Sequence, residues 1–412
     1  MRILHLADVH LGMENYGRLD PQQGLNTRVL DFLRCLDEAV SFAVNEGVDA
    51  VIFAGDAYKS REPSPTLQRE FARRIHRLTR AGLPVYLLVG NHDLPGMPGK
   101  ANSMDIFSTL EVPGVTVGRI PEVVTLETRS GPLQVAGLPA LPRGAIVPSD
   151  ETRGLGQEAL ANLLQERLVA LLGGLAARVQ PGSPAILAAH FGIEGATLGS
   201  EANLMAGNEL LLPLSAVANP AFAYVALGHI HKYQVLNPGA HPEVVYSGSI
   251  ERVDFGEESE EKGFVLVEIA EGKAEHRFLP VSARRFLTIR CQVAGEGDAT
   301  EQVLAAIRQH DLAGAVVRVL VAMEQEAPLD LRAVRAALAE AEWVGPVVRE
   351  VRRASLARNP RLTEELTDPM RALEEYLATR EIGGARAAEL REYASRLLAE
   401  LEQEEAIAYL EQ

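Results

Sequence analysis

The chain of 412 residues is 47% apolar and 23% charged, a length that at ~100–200 residues per domain predicts two or three globular domains with full cores. Its 35 Gly and 23 Pro are near average usage and no triplet or heptad period dominates, which excludes collagen-like, coiled-coil and disordered classes. The charge of −16, from 56 Asp and Glu against 40 Lys and Arg, argues against a nucleic-acid binder that works through bulk positive charge, and 5% aromatic residues leave few platforms for stacked bases.

The longest near-continuous apolar run, Leu168 to Ala177, is ten residues, against the roughly 20 that span a bilayer, so no membrane partner is expected. The start, Met1-Arg2-Ile3-Leu4-His5-Leu6-Ala7-Asp8, puts a carboxylate where a signal peptide needs an apolar stretch. A cytoplasmic protein is the expectation. Cys35 and Cys291 are too few for a disulfide framework or a four-thiolate zinc site and read as buried small hydrophobes.

In chain order, residues 2–7, 48–54 and 85–89 read as short buried strands. Between them lie a helix over Val29 to Asn45 and an arginine-rich helix over 67–80. This rhythm implies parallel strands with crossover helices. Beyond residue 115 come strands at 122–127 and 133–138, a long helix over 155–178, and strands at 185–189, 223–227, 244–246, 263–269 and 274–280. His5, between two leucines, reads as a satisfied core histidine. A smaller α/β unit follows from Arg285, with strands at Phe286 to Val293, Ala315 to Val321 and Pro346 to Val351 and helices at 300–309 and 329–341. Arg349, Arg352, Arg353, Arg358 and Arg361 then form a basic linker. Asp368 as N-cap with Pro369 starts one tail helix, Gly383-Gly384 ends it, and 385–410 forms a second.

Five strand ends carry metal-binding side chains: Asp8-Val9-His10, Gly55-Asp56, Gly90-Asn91-His92-Asp93, His190, and Gly228-His229-Ile230-His231. Sites in open α/β sheets lie at the carboxyl ends of strands, so these loops should converge. Each motif alone is compatible with turn chemistry or a core histidine; five in order, each after an apolar strand, are not. The Gly-His-Ile-His segment alternates as a strand would, sending both imidazoles to one face. Carboxylate, imidazole and amide donors without thiolate suit Mn²⁺, Fe²⁺, Zn²⁺ or Mg²⁺, and a shared carboxylate lets two ions sit about 3.5–4 Å apart to clamp a phosphoryl group and activate water. Phosphoester hydrolysis is the chemistry this pattern points to.

The ordered motifs resemble those of the calcineurin-like metallophosphoesterase superfamily. That resemblance implies a four-layer α/β sandwich, two mixed sheets flanked by helices, with a small α/β capping domain and a helical tail. It also implies that Asp8, His10 and His231 hold one divalent ion, that Asn91, His190 and His229 hold a second, and that Asp56 bridges both. His92 would stabilise the transition state and protonate the leaving oxygen, with Asp93 orienting its ring.

Within the superfamily the chain looks like the SbcD nucleases, bacterial relatives of the meiotic-recombination-eleven nuclease. The residues that carry this are Ala7 to Gly12, Ala54-Gly55-Asp56 followed by Arg61-Glu62-Pro63-Ser64-Pro65, Tyr246-Ser247-Gly248-Ser249, and the domain order. The resemblance implies a Mn²⁺-dependent exonuclease and endonuclease acting on DNA ends, hairpins and single strands in double-strand-break repair. It further implies a homodimer, nucleoid association, and docking of the tail on a coiled-coil ATPase of the SbcC type. The expected domains are 1–280 (nuclease), 281–354 (DNA-contacting cap) and 355–412 (linker and partner-binding tail). Tyr16, Arg18, Lys59 and Arg61 are the expected DNA contacts. Leu373, Leu377, Leu390, Tyr393, Leu397 and Leu401 are the expected partner-binding stripe.

Archaeal and eukaryotic relatives carry His where this chain has Lys59, which pairs with phosphate as a point charge but does not exchange protons near neutral pH unless its pKa is depressed. The balance of exonuclease and endonuclease activity stays open. Two other readings also stand: a small-molecule phosphodiesterase or phosphatase, and a non-catalytic scaffold stabilised by metal. Residues 364–412 hold 13 acids and five arginines, so half of the −16 belongs to the tail. The expectation is weak DNA binding without metal and partner.

Overall fold

The computed structural model describes residues 1–95, 100–148, 151–199, 210–294, 297–323, 327–351, 369–379 and 383–410. Arg352, Arg353, Arg358, Arg361 and Asp368 lie outside them, as does the side chain of Leu401. The chain divides into two compact units, one of Met1–Ile289, Ala306–Val319 and Leu331–Val347, the other of Arg290–Ala305, Leu320–Asp330 and Val348–Gln412.

The strands of the two large sheets are β1 Arg2–Leu6, β2 Ala50–Phe53, β3 Val85–Leu88, β4 Val115–Gly118, β5 Glu122–Thr128, β6 Gly131–Leu138, β7 Ala185–His190, β8 Tyr224–Gly228, β9 Gln234–Val235, β10 Glu243–Tyr246, β11 Gly263–Ala270 and β12 Lys273–Pro280. The first sheet runs β12-β11-β1-β2-β3-β4 and the second β9-β10-β8-β7-β6-β5. Strands β1 to β4 are mutually parallel, as the strand-helix rhythm predicts. Sequence reading missed the four-residue β4, and it did not place β11 antiparallel beside β1, with His5 opposite Val265.

Strand alternation explains the layers. Ile3, Ala50, Ile52, Tyr86 and Leu88 on one face of the first sheet meet Val135, Ile186, Ala188, Tyr224 and Ala226 of the second in a shared core. The opposite face of the first sheet sends Leu4, Leu6, Val51, Phe53, Val85 and Leu87 against helices α1 (Thr27–Glu46) and α2 (Pro65–Arg80). The second sheet sends Leu187, Ala189, Val225 and Leu227 against α3 (Gln157–Ala177). Strands buried on both faces read as unbroken apolar runs, and each buried Leu, Ile, Val or Phe contributes about 1.5–3 kcal/mol. The result is the expected four-layer sandwich.

Helix α1 starts where the Asn26 side chain accepts from the Arg28 amide and stops at Gly47, whose φ of 57° suits glycine. Helix α2 begins two residues earlier than its periodicity suggests, because Ser64 caps it and Pro65 fits the first helical position. By length and composition α3 is apolar enough to cross a bilayer, in contrast to the expectation drawn from its ten-residue run. In the structure its stripe of Leu164, Leu168, Leu172 and Leu175 is buried, and all but Leu164 belong to the second sheet's core cluster.

A three-stranded sheet follows, in the order β13 (Phe286–Val293), β14 (Val316–Met323), β15 (Trp343–Val351), with helices α4 (Ala299–Ile307) and α5 (Leu331–Ala337). Two tail helices, α6 (Pro369–Thr379) and α7 (Gly384–Leu410), are tied by Arg391 to Glu374 at 2.5 Å. Of the expected partner-binding stripe, Leu377 is buried, Leu373 and Leu390 are half-buried, and Tyr393 and Leu397 are exposed.

Candidate metal centre

The carboxyl ends of β1, β2, β3, β7 and β8 deliver five loops to one point. Backbone hydrogen bonds knit them: Asp8 N–H donates to Gly55 O at 3.0 Å, His10 N–H to Asp56 O at 3.1 Å, and Leu11 N–H to Ala57 O at 2.9 Å. Asp8, His10, Asp56 and His229 all have positive φ, between 44° and 99°, a conformation that a non-glycine residue holds only when its surroundings over-determine it. His229 at φ 99° therefore does not continue β8, and the Gly-His-Ile-His segment is a loop rather than the alternating strand that its sequence suggested. Ile230 turns into the core while both imidazoles turn to the site.

Two glycines make the close approach possible. A Cβ on Gly90 would lie 2.1 Å from Asp56 Oδ1, and one on Gly55, at φ 101°, would lie 2.2 Å from His190 Nδ1.

All seven expected donors come together. Asp8, His10 and His231 form one group whose ligand atoms lie within 4.8 Å of one another, and Asp8, Asp56 and His190 form another. Asp56 Oδ2 is 3.7 Å from His10 Nε2 and 3.3 Å from His190 Nε2. Asn91 Oδ1 sits 2.9 Å from His190 Nε2 and 3.0 Å from His229 Nδ1. His229 N–H donates to both Asp8 oxygens, at 2.9 and 3.1 Å.

Three rings have their tautomer fixed from behind. A carbonyl or carboxylate can only accept, so Nδ1–H of His190 donates to Ala54 O (2.8 Å), that of His92 to Lys59 O (2.8 Å) and that of His231 to Glu257 Oε1 (2.7 Å). Each Nε2 is thereby left as a lone pair when its ring is neutral. That of His231 faces His10 Nε2 at 2.9 Å, and that of His190 faces the amide oxygen of Asn91 and a carboxylate. Acceptors aimed at acceptors call for a cation, and this donor set fits a pair of hard or borderline divalent ions.

The titration pattern carries the same demand. Burial pushes His190 down, but Asp56 and Asp8 outweigh it and raise it to about 9. Burial pushes Asp56 up, but His190, His10 and His92 hold it well below the usual carboxylate range. Burial raises Asp8, with neighbouring Asp56 adding to it, and burial takes His10 well below its ordinary value. The cluster recruits positive charge.

The catalytic pair differs from expectation. His92 stands with His10 and Asp56 at the cluster, its ring centroid 4.9 Å from that of His10. Asp93 does not orient that ring. Its carboxylate accepts from the amides of Gly90 (3.0 Å), Tyr58 (3.2 Å) and Ala57 (3.3 Å), stapling the β2 and β3 loops together, and the Lys59 carbonyl takes the orienting position. Burial, with Asp56 nearby, raises Asp93 to about 7 against the pull of those amides.

Lys59 and Arg61 line an open cleft with Asn91 and His92. Tyr16 is half-buried, its ring edge-on against Phe255, Phe286 and Trp343 at 5.2–5.5 Å. Arg18 is exposed, 3.5 Å from Glu342. In the arginine-rich α2, Arg69, Arg73 and Arg74 converge on Glu70, and Arg74 also reaches Asp37.

Sequence reasoning missed Glu257 and Lys262. Glu257 is fully buried, bonded to His231 through one oxygen and to Lys262 Nζ through the other at 2.8 Å; Lys262 also donates to His231 O at 3.0 Å. Burial pushes Glu257 up, but Lys262 and His231 hold it well below the usual range. Their signal in sequence is slight: one of five glutamates between 251 and 261, and one of five lysines in the chain.

Residues 1–233 match the model of the calcineurin-like phosphoesterases. The chain belongs to that family. Among curated relatives of this phosphoesterase, the DNA double-strand break repair protein Mre11 of Methanosarcina mazei is 27% identical over 310 residues, 75% of this chain and 43% of that protein. The SbcD component of the nuclease SbcCD of Rhodobacter capsulatus is 31% identical over 308 residues, 68% of this chain and 69% of that one. An uncharacterized metallophosphoesterase of Bacillus subtilis, YhaO, is 27% identical over 282 residues, covering 68% and 60%. The phosphoesterase thus spans less than half the length of the Methanosarcina relative that it matches.

Proposed function

We propose that this phosphoesterase is the nuclease component of an SbcCD-like complex, a Mn²⁺-dependent DNA exonuclease and endonuclease acting on ends, hairpins and single strands in double-strand-break repair. The observation that carries the reading is the convergence of seven oxygen and nitrogen donors beside His92, at the head of a cleft lined by Lys59 and Arg61. Asp8, His10 and His231 would hold one ion, Asn91, His190 and His229 the other, and Asp56 both. Bound divalent ions supply Lewis-acid polarisation of a phosphate and acidification of water.

The chain's own residues do the rest. Lys59 Nζ and the Arg61 guanidinium neutralise backbone phosphates in the cleft, which positions without reading sequence. His92, its Nδ1–H held by the Lys59 carbonyl, presents Nε2 to the leaving oxygen and, when protonated there as the imidazolium, delivers that proton and is left as the neutral ring. Its own amide donates to Asp56 Oδ1 at 2.8 Å, so ring and carboxylate keep a fixed separation. Asp93 positions both loops rather than the ring.

The SbcD and Mre11 names of the relatives support DNA as substrate and a coiled-coil ATPase as partner. On this reading residues 1–280 form the nuclease domain, 281–354 the cap and 355–412 the linker and partner-binding tail, in a homodimer working on nucleoid DNA in the cytoplasm. Exposed Tyr393 and Leu397 give the tail an apolar face for such a partner. The test is cleavage of end-labelled linear, hairpin and single-stranded DNA with Mn²⁺ or Mg²⁺, alone and with the ATPase. Metal-dependent shortening or hairpin opening is expected. Turnover of cyclic nucleotides or phosphomonoesters with DNA left intact would replace this reading with a small-molecule phosphodiesterase.

A further inference from the structure

The donor cluster is flanked by two recesses of opposite character that share Asn91. On the His92 side is the open cleft of about 540 Å³ lined by Lys59, Ser60, Arg61 and Glu62. On the His190 and His229 side is a more enclosed pocket of about 360 Å³, within the ~300–1,000 Å³ range of small-ligand sites. Most of its lining side chains are apolar, among them Leu94, Ala140, Ile146, Leu160, Leu164 and the ring of Phe191. Arg143 and Gln157 are its polar side chains apart from Asn91, His190 and His229. Phe191 is held in place because the Tyr246 hydroxyl donates to its backbone carbonyl at 2.7 Å.

Phosphate hydrolysis itself has no use for an apolar recess against the reacting centre. A nucleotide, however, has the same division as the two recesses: an anionic phosphate and sugar on one side, a flat base with apolar faces on the other. We infer that the Phe191 pocket takes the nucleobase of a nucleotide flanking the scissile phosphate, while the Lys59 and Arg61 cleft carries the strand; the inference rests on the nuclease reading above. Arg143 and Gln157 are placed to meet base edges with a guanidinium and an amide, groups that pair with any base and so give little sequence preference. A base inside a duplex cannot reach the pocket without unpairing and unstacking, a cost smallest at a frayed end, a hairpin loop or a single strand. The pocket would thereby restrict cleavage to unpaired positions.

The test uses single-stranded oligonucleotides with one abasic residue walked across the cleavage site, and the full chain with Mn²⁺. The variant is Ala161→Phe: Ala161 lines the pocket from an exposed position of α3 and is not itself a metal donor, so a phenyl ring there takes up space in the recess without being placed in the core. The expected result is a roughly tenfold rise in KM when the abasic residue flanks the cut bond on one side. Ala161→Phe should raise KM for intact DNA by a similar factor and add nothing on abasic DNA, with bound metal unchanged. In metal-free protein, 2-aminopurine at that position should change its fluorescence on binding, and the variant should abolish the change.

Equal KM for intact and abasic DNA at both flanks, or independent multiplication of the two effects, would overturn the pocket assignment while leaving the nuclease standing. If wild-type protein cuts neither DNA with metal present, the nuclease reading falls and this inference with it.

Discussion

Glutamine at position 257 is the substitution that most sharply separates a built metal site from a histidine cluster of another purpose. The Glu257 carboxylate is wholly buried, accepts from His231 Nδ1 at 2.7 Å, from Lys262 Nζ at 2.8 Å and from the Val253 amide at 2.9 Å. An amide keeps one acceptor oxygen and turns two N–H donors toward partners that also donate, and it removes the negative charge opposite Lys262. Breaking a buried pair costs about 3–5 kcal/mol; since Lys262 keeps Glu260 Oε2 at 2.7 Å, the loss should fall at the lower end, about 3 kcal/mol. Outer carboxylates behind ligating histidines tune affinity about 10- to 100-fold, which is about 1.4–2.7 kcal/mol. Calorimetric titration of metal-free wild type and Glu257→Gln with Mn²⁺ reads the second term, and urea unfolding with and without Mn²⁺ reads both. A weakening near 30-fold should cut the metal's contribution to stability by about 2 kcal/mol at saturating metal. A folded Glu257→Gln protein that binds Mn²⁺ as tightly as wild type would refute the assignment of His231 as a ligand oriented by this carboxylate.

Other buried groups give independent checks. His5 is buried between the Tyr224 hydroxyl (3.1 Å) and Leu227 O (3.2 Å), and burial lowers it to about 3. A group protonated more readily unfolded than folded stabilises above its unfolded pKa of about 6.5, and that contribution is lost as pH falls toward 3. Between pH 7 and 5 wild type should lose about 2 kcal/mol more than His5→Gln in urea unfolding, and parallel pH profiles would contradict this. Gly90→Ala, with its Cβ forced to 2.1 Å from Asp56 Oδ1, should lose metal binding, whereas Gly173→Ala on the exposed face of α3 should keep it and gain about 0.5–1 kcal/mol. Arg28 is buried against Asp31 (2.8 Å), Glu251 (3.8 Å) and the ring faces of Phe32 and Phe286, so Arg28→Met should cost about 3–5 kcal/mol in denaturant unfolding.

The metal donors were legible because each follows an apolar strand, and strands buried on both faces announce themselves as unbroken runs such as Val48 to Ala54. What stayed hidden depends on partners far apart in the chain. The Tyr16 ring finds Phe255, Phe286 and Trp343 only once three distant segments meet. Asp31, next to Arg28 on α1, receives the Arg284 guanidinium, and no local pattern marks either as buried. Gly-Asn-His-Asp states which side chains are present but not that Asp93 turns away to bind three amides. Likewise Gly-His-Ile-His mimics a strand by composition, while the φ of His229 bends it into the site.

The central claim, a metal-bearing DNA nuclease with His92 at the leaving oxygen, is tested most directly by measuring bound Mn²⁺ and DNA cleavage on the same preparations of wild type and His92→Ala. The expected result is two ions per chain in both proteins, with cleavage in wild type alone. Cleavage retained in His92→Ala, or wild type that binds two ions and leaves every DNA substrate whole with its ATPase partner present, would contradict the account.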